Sequence, residues 1–215
     1  MRDTGYDFKT AIADILDNSV AANAKVIDIR TELDPNCDLT IYICDNGCGM
    51  NEKELINAMR YGSDRRPDPR SLGKFGLGLK TASTAFCRKL SLVSRGRDNE
   101  VHKVQWDLDY VAENGWMLKT MNPTPDELDL LDSTVDGGTG TLVIWENIDR
   151  LQLSEHQDRT AANKALNRQL YGGSDGGLIR HLEATYQRFL DPSYAKEETI
   201  VIRVNGEELV PWDPF

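Results

Sequence analysis

The segment 8–22 most constrains how this chain can fold. Phe8, Ala11, Ile12, Ile15, Leu16 and Val20 recur at spacings near three and four, which predicts a helix with one apolar face. Two β-branched runs with partial alternation follow at 26–33 and 39–45, split by the turn Asp34-Pro35-Asn36. A one-sided helix followed at once by strands reads as a mixed α/β chain.

The remainder keeps that character. Asn51 followed by Glu54 is a capping-box start for a helix ending near Tyr61-Gly62. Residues 63–71 are polar and broken by prolines, as in a loop. Residues 73–78 are glycine-rich and open a helix to about Phe86. Segments 89–95 and 101–109 read as a hairpin around Gly96-Arg97-Asp98-Asn99. A short acidic helix at 126–131 precedes Gly137-Gly138-Thr139-Gly140 and a strand at 141–145. Helices are expected at 154–171 and 178–190. The pattern 199–204, Asn205-Gly206, 207–210 is a strong hairpin signal.

A length of 215 residues suits one large domain or two small ones. With 40% apolar and 28% charged residues, a wholly disordered chain is excluded. The net charge of −10 argues against nucleic-acid binding through overall charge, because phosphate contacts need clustered cations. No stretch approaches the ~18 apolar residues of a membrane helix. The opening Met1-Arg2-Asp3-Thr4 is no signal peptide. Cys37, Cys44, Cys48 and Cys87, with the scattered His102, His156 and His181, lack zinc-ligand spacing and read as reduced thiols in a core, pointing to a cytoplasmic protein.

Three polar clusters carry chemistry. In the first, Asp14 and Asn18 stand one helical turn apart and share a face. A carboxamide oxygen suits Mg²⁺, and a carboxylate can orient or deprotonate water. Taken alone, the pair also fits a solvated helix face. The second is Asp45-Asn46-Gly47-Cys48-Gly49-Met50, at the end of an apolar strand. A carboxylate there, with glycines beside it, can hold a donor such as an adenine amino group. An ordinary Asp-Asn-Gly turn would show the same letters. The third, Gly73-Lys74-Phe75-Gly76-Leu77-Gly78-Leu79-Lys80, presents backbone N–H groups and a helix N-terminus to a phosphate. It matches neither the Walker loop nor the Rossmann fingerprint.

Taken together, the order and spacing of these clusters resemble the GHKL ATPase superfamily of gyrase B, the large heat-shock chaperone, histidine kinases and MutL. The matching residues are Asp14 to Asn18, then Asp45, Gly47 and Gly49, then the loop 73–78, then Gly140-Thr141 opening a late strand. Gly-Leu-Gly-Leu-Lys and Gly-Thr-Leu-Val-Ile-Trp look most like the MORC branch and its bacterial relatives.

The resemblance implies an α+β fold of the Bergerat type: a two-layer sandwich of mixed sheet, helices on one face, and an ATP lid. The ATP-binding domain would span 1–190 with its lid at 63–72. Segment 191–215 would be a closing hairpin at the start of, or junction to, a transducer domain. In the site, Asp45 would accept from the adenine amino group, supported by Thr141, and Ala22 and Met50 would line the base. Gly47 and Gly49 would allow close approach. Asn18 would coordinate Mg²⁺. Gly73, Gly76, Leu77, Gly78 and Leu79 would surround the phosphates, with Lys80 adding charge and Arg65, Arg66 and Arg70 serving the lid. Asp14 would be the water-activating base, where hydrolysing families usually carry Glu. The implied function is an Mg-ATP-dependent switch, a slow ATPase within a longer protein, acting with transducer and effector domains and through ATP-dependent homodimerisation. Two further readings stay open: a histidine-kinase-type catalytic domain, and an ATP sensor without turnover.

Overall fold

The structure is a computed structural model that describes residues 2, 5–60, 78–151, 158–172 and 176–213. The expected lid at 63–72, with Arg65, Arg66 and Arg70, and the loop residues Gly73, Gly76 and Leu77 lie outside the described residues. So does 154–157, the start of one expected helix.

The chain begins with α1 (Phe8–Ala21), β1 (Val26–Leu33) and β2 (Leu39–Asp45), close to the bounds read from periodicity. The turn between the strands is built by Asp34, whose Oδ1 accepts from the backbone N–H groups of Asn36 and Asp38 at 2.8 Å each. α2 (Glu52–Met59) starts from the expected capping box, with both reciprocal bonds of Asn51 and Glu54 formed. α3 (Gly78–Phe86) runs straight into β3 (Cys87–Arg95), and β4 (Val101–Asp107) completes the hairpin. Then come α4 (Leu108–Asn114), β5 (Lys119–Met121), α5 (Pro125–Val135) and β6 (Gly140–Ile148). The chain continues through α6 (Arg159–Tyr171), α7 (Leu178–Thr185), α8 (Gln187–Leu190), α9 (Pro192–Ala195), β7 (Val201–Val204) and β8 (Glu207–Glu208).

Among the described residues, eight strands form one open sheet in the order β5-β4-β3-β6-β2-β1-β7-β8. All its pairings are antiparallel except β1 with β7, so the sheet is mixed as expected. Side chains alternate between its faces. Ile41 and Ile43 of β2, Leu90 and Leu92 of β3, and Val143 and Trp145 of β6 face the main core. There they meet Ile12 and Leu16 of α1, Phe86 of α3 and Leu182 of α7. The Trp145 indole stacks on Phe86 and donates to Ser83 Oγ at 2.8 Å. The intervening Cys44, Val93, Leu142 and Ile144 meet Leu131 and Val135 of α5 on the opposite face. The two-layer sandwich thus stands, with α5 as an additional helix behind it.

Several local expectations change. β4 ends at Asp107, not 109, because the Asp107 carboxylate turns back to accept from the Asp109 and Tyr110 N–H groups and caps α4. The acidic helix is longer than 126–131: Thr124 and Glu127 form a capping box, and Asp136 closes it in the left-handed region. The expected helix at 178–190 is broken at Tyr186. Cys37, Cys44 and Cys87 are buried as expected, but Cys48 is exposed because it sits in the turn after Gly47. No helix of the described residues is long and apolar enough to cross a membrane.

Tyr186 links the late helices to the first. It is only 1% exposed, and its hydroxyl lies 2.7 Å from Asp17 Oδ1 and 2.9 Å from the Ala13 carbonyl. Burial and the neighbouring Asp17 push the phenol well above its usual range. Tyr186→Phe leaves two acceptors without this donor. It should lower unfolding free energy by about 1–3 kcal/mol in urea titrations, and an unchanged midpoint would remove the link.

Candidate functional site

The site begins with a row of polar side chains at one end of the sheet. Asp45, Thr141 and Ser94 lie in register on adjacent strands, Asp45 opposite Thr141 and Thr141 opposite Ser94. Each falls on the same face as the core residues two positions before or after it in its strand, so all three point toward the helical layer. Asp45 is buried, and its Oδ2 accepts from Ser19 Oγ of α1 at 2.8 Å. Its Oδ1 accepts from the Gly47 N–H at 2.9 Å. Burial raises the carboxyl's pKa, and bonds from Ser19, Gly47 and Thr141 oppose that shift. Ser94 Oγ contacts Thr141 Oγ1 at 2.9 Å, donates to the Gly140 carbonyl at 2.8 Å and accepts from the Met50 N–H at 2.9 Å.

The turn after β2 is clamped against the end of α1. Asn46 Oδ1 accepts from the N–H groups of Lys25 and Val26 at 2.8 Å each, and the Cys48 N–H donates to the Ala22 carbonyl at 3.0 Å. Gly47 is needed because a Cβ there would stand 2.8 Å from Ala22 Cβ and 2.9 Å from Asp45 Oδ1. Gly49 has φ +60, and a Cβ would approach the Arg95 carbonyl to 1.9 Å. Both glycines therefore secure close packing of this turn.

The polar edge of α1 lies beside the start of α3. Asn18 Nδ2 donates to the Asp14 carbonyl at 2.7 Å, a bond that does not use the amide oxygen. Asp14 Oδ2 accepts from Tyr6 Oη at 2.8 Å. A Cβ built on Gly78 would stand 4.0 Å from that same oxygen, so the carboxylate faces the first turn of α3. Leu79 packs against the main core. Lys80 is fully buried, and its Nζ donates to the Ala58 carbonyl of α2 at 2.8 Å.

The structure thus brings together Asp14, Asn18, Ala22, Asp45, Gly47, Gly49, Met50, Gly78 and Thr141 along one helix–sheet boundary. Lys80 is placed under α2, with its ammonium engaged there. Three residues of the site were not singled out from sequence. Ser19 and Ser94 each carried a signal: a hydroxyl at a position the period assigns to the apolar face, where it must find a partner. Tyr6 precedes the helix and carried none. Among the described residues, no three or more His, Cys, Asp and Glu side chains gather as a metal site. Any Mg²⁺ here would rest on Asn18 and on oxygens brought by a ligand.

Burial lowers the Lys80 pKa to about 8. Unfolded lysine titrates near 10.5, so between those values the folded protein holds fewer protons than the unfolded one and stability rises with pH. Lys80→Met should remove that rise. Denaturant midpoints across the window check it, and parallel curves for the two proteins would contradict it.

A family model described as "Histidine kinase-, DNA gyrase B-, and HSP90-like ATPase" matches residues 6–141. The chain is 26% identical over 133 residues to mouse ATPase MORC2B, covering 55% of this chain and 13% of that protein. It is 31% identical over 86 residues to ATPase morc-1 of Caenorhabditis elegans, covering 40% of this chain and 10% of the relative. Against human ATPase MORC2 the identity is 28% over 92 residues, or 41% of this chain and 9% of the relative. The chain therefore spans about a tenth of the length of these curated relatives. The matched region runs from Tyr6 through α1, the Asp45 turn and α3 to Thr141 itself, so every residue of the site lies inside it. The chain belongs to the histidine kinase-, DNA gyrase B- and HSP90-like ATPase family, as a MORC-like, ATP-binding member.

Proposed function

We propose that this domain binds Mg-ATP along the α1–sheet boundary and hydrolyses it slowly, serving as a nucleotide-dependent switch in a longer protein. The observation that carries this reading is the Ser19–Asp45 bond, which ties the Asp14–Asn18 helix to the Asp45 turn. Asp45 accepts from the adenine amino group with Thr141 in support, and Ala22 and Met50 line the base. The buried carboxylate suits this role, since its bonds to Ser19 and Gly47 fix its direction and further lone pairs remain.

Asn18 would hold Mg²⁺ through its amide oxygen, and the ion would neutralise phosphate charge. The donor chemistry fits: a hard, neutral oxygen on the helix edge, with its N–H already bonded to Asp14. The N-terminal N–H groups of α3 at Gly78 and Leu79 would face the phosphates. Asp14 accepts a proton from the attacking water. Its side chain is one methylene shorter than the usual Glu, and misplacement on the ångström scale can cost about 10²-fold in rate. Slow turnover follows. Dimerisation and coupling to a transducer domain through the 191–215 hairpin complete the switch. Asp14 also favours a second reading, ATP sensing without hydrolysis.

Two measurements test this. Calorimetry of Asp45→Asn should show ATP affinity lowered by about 10²-fold or more, because the amide turns a donor toward groups that themselves donate. Retained affinity would remove the adenine assignment. In single-turnover assays Asp14→Asn should bind ATP and lose hydrolysis, while Asp14→Glu keeps or raises the rate. Equal rates for parent and Asp14→Asn would place the base elsewhere, and a parent protein that binds without turnover would establish the sensing reading.

A further inference from the structure

Asp14 is held from outside its own helix. Tyr6, in the segment before α1, donates from Oη to Asp14 Oδ2 at 2.8 Å. Its ring is partly buried against the main core, which limits where the hydroxyl can move. Thr81 of α3 opposes the upward shift that Asp14 and burial give the phenol. The Tyr6–Asp14 bond joins the N-terminal segment to the helix whose polar edge faces the start of α3.

We propose that Tyr6 is a positioning residue for ATP hydrolysis, acting through Asp14; this rests on the reading of Asp14 as the base. An aspartate carboxylate rotates freely about χ2, because such terminal torsions are broad and roughly two-fold. A phenol bound to Oδ2 limits that freedom and leaves the remaining carboxylate lone pairs to meet water. The step then balances. The water O–H proton passes to the Asp14 carboxylate as its oxygen bonds to the γ-phosphorus. The bond from that phosphorus to the β,γ-bridging oxygen breaks, and its electron pair leaves on ADP. The tether matters more for Asp than for Glu, because the shorter side chain can tolerate less error in aim.

The alternative is that Tyr6 only packs the N-terminal segment. That segment has another anchor: Arg2 Nε donates to the Thr84 carbonyl at 2.9 Å, and its guanidinium pairs with Asp149. Tyr6→Phe keeps the ring and removes the hydroxyl, so it separates the two roles. The test measures single-turnover hydrolysis at saturating Mg-ATP, and ATP affinity by calorimetry, for the parent, Tyr6→Phe and Asp14→Asn. The proposal expects about a tenfold slower step for Tyr6→Phe, affinity within about twofold of the parent, and no hydrolysis by Asp14→Asn. Parental rate in Tyr6→Phe beside an inactive Asp14→Asn overturns the role of Tyr6 and leaves the base in place. Affinity lost together with rate in Tyr6→Phe marks a packing role and also overturns it. Parental rate in Asp14→Asn, or an inactive parent, overturns the reading of Asp14 and this proposal with it.

Discussion

The hydrogen bond from Ser19 to Asp45 joins the helical layer to the sheet at the point where the site is built. A carboxylate 5% exposed would be costly without donors, and Ser19 and Gly47 supply them from a helix and a turn. The bond also sets the rotation of α1. With Ser19 turned to the sheet, Asp14 and Asn18 lie along the helix edge, where Asp14 reaches the start of α3. Loosening that one contact would disturb both the row of polar side chains and the helix edge.

The matched region, 6–141, does not close the fold on its own. β7 pairs in parallel with β1, placing Ile202 and Val204 in the main core. Tyr186 braces α1 one turn from the site through Asp17 and the Ala13 carbonyl. The Asp17 carboxyl is itself raised by burial, with the Tyr186 bond opposing that shift. Residues that no nucleotide would touch thus hold the helix that carries the chemistry. Beyond β8, the Trp212 N–H donates to the Glu183 carbonyl, and Arg180 lies over the Trp212 ring, so the last described segment rests on α7 as well. A contiguous chain of contacts therefore runs from Trp212 through α7 and Tyr186 to α1.

Much of the fold was legible because its long elements carry strong periods. α1, β1 and β2 are set by apolar spacing, α2 by the Asn51–Glu54 box, and the final turn by Asn205-Gly206. The elements that escaped are short. β5 has three residues and α9 four, too few to establish a period, and α4 depends on Asp107 turning from strand residue to cap. The break at Tyr186 escaped too, because leucine spacing continues through it.

The sequence by itself determined which residues could do chemistry and in what order they occur: an Asp and Asn one turn apart, a strand-end Asp with glycines, and a glycine loop opening a helix. Those properties are local, and spacing along the chain encodes them. Only the tertiary structure decided which of these groups meet. Ser19 and Ser94 became part of the site because strand register and helix rotation aimed their hydroxyls at Asp45 and Thr141. Lys80 came under α2 because the packing of α3 buries its stem and leaves the Ala58 carbonyl as a partner. Tyr6 met Asp14 because the segment before α1 folds its phenol back onto that helix. Such contacts depend on how layers rotate against one another, and no spacing within a single segment carries that information.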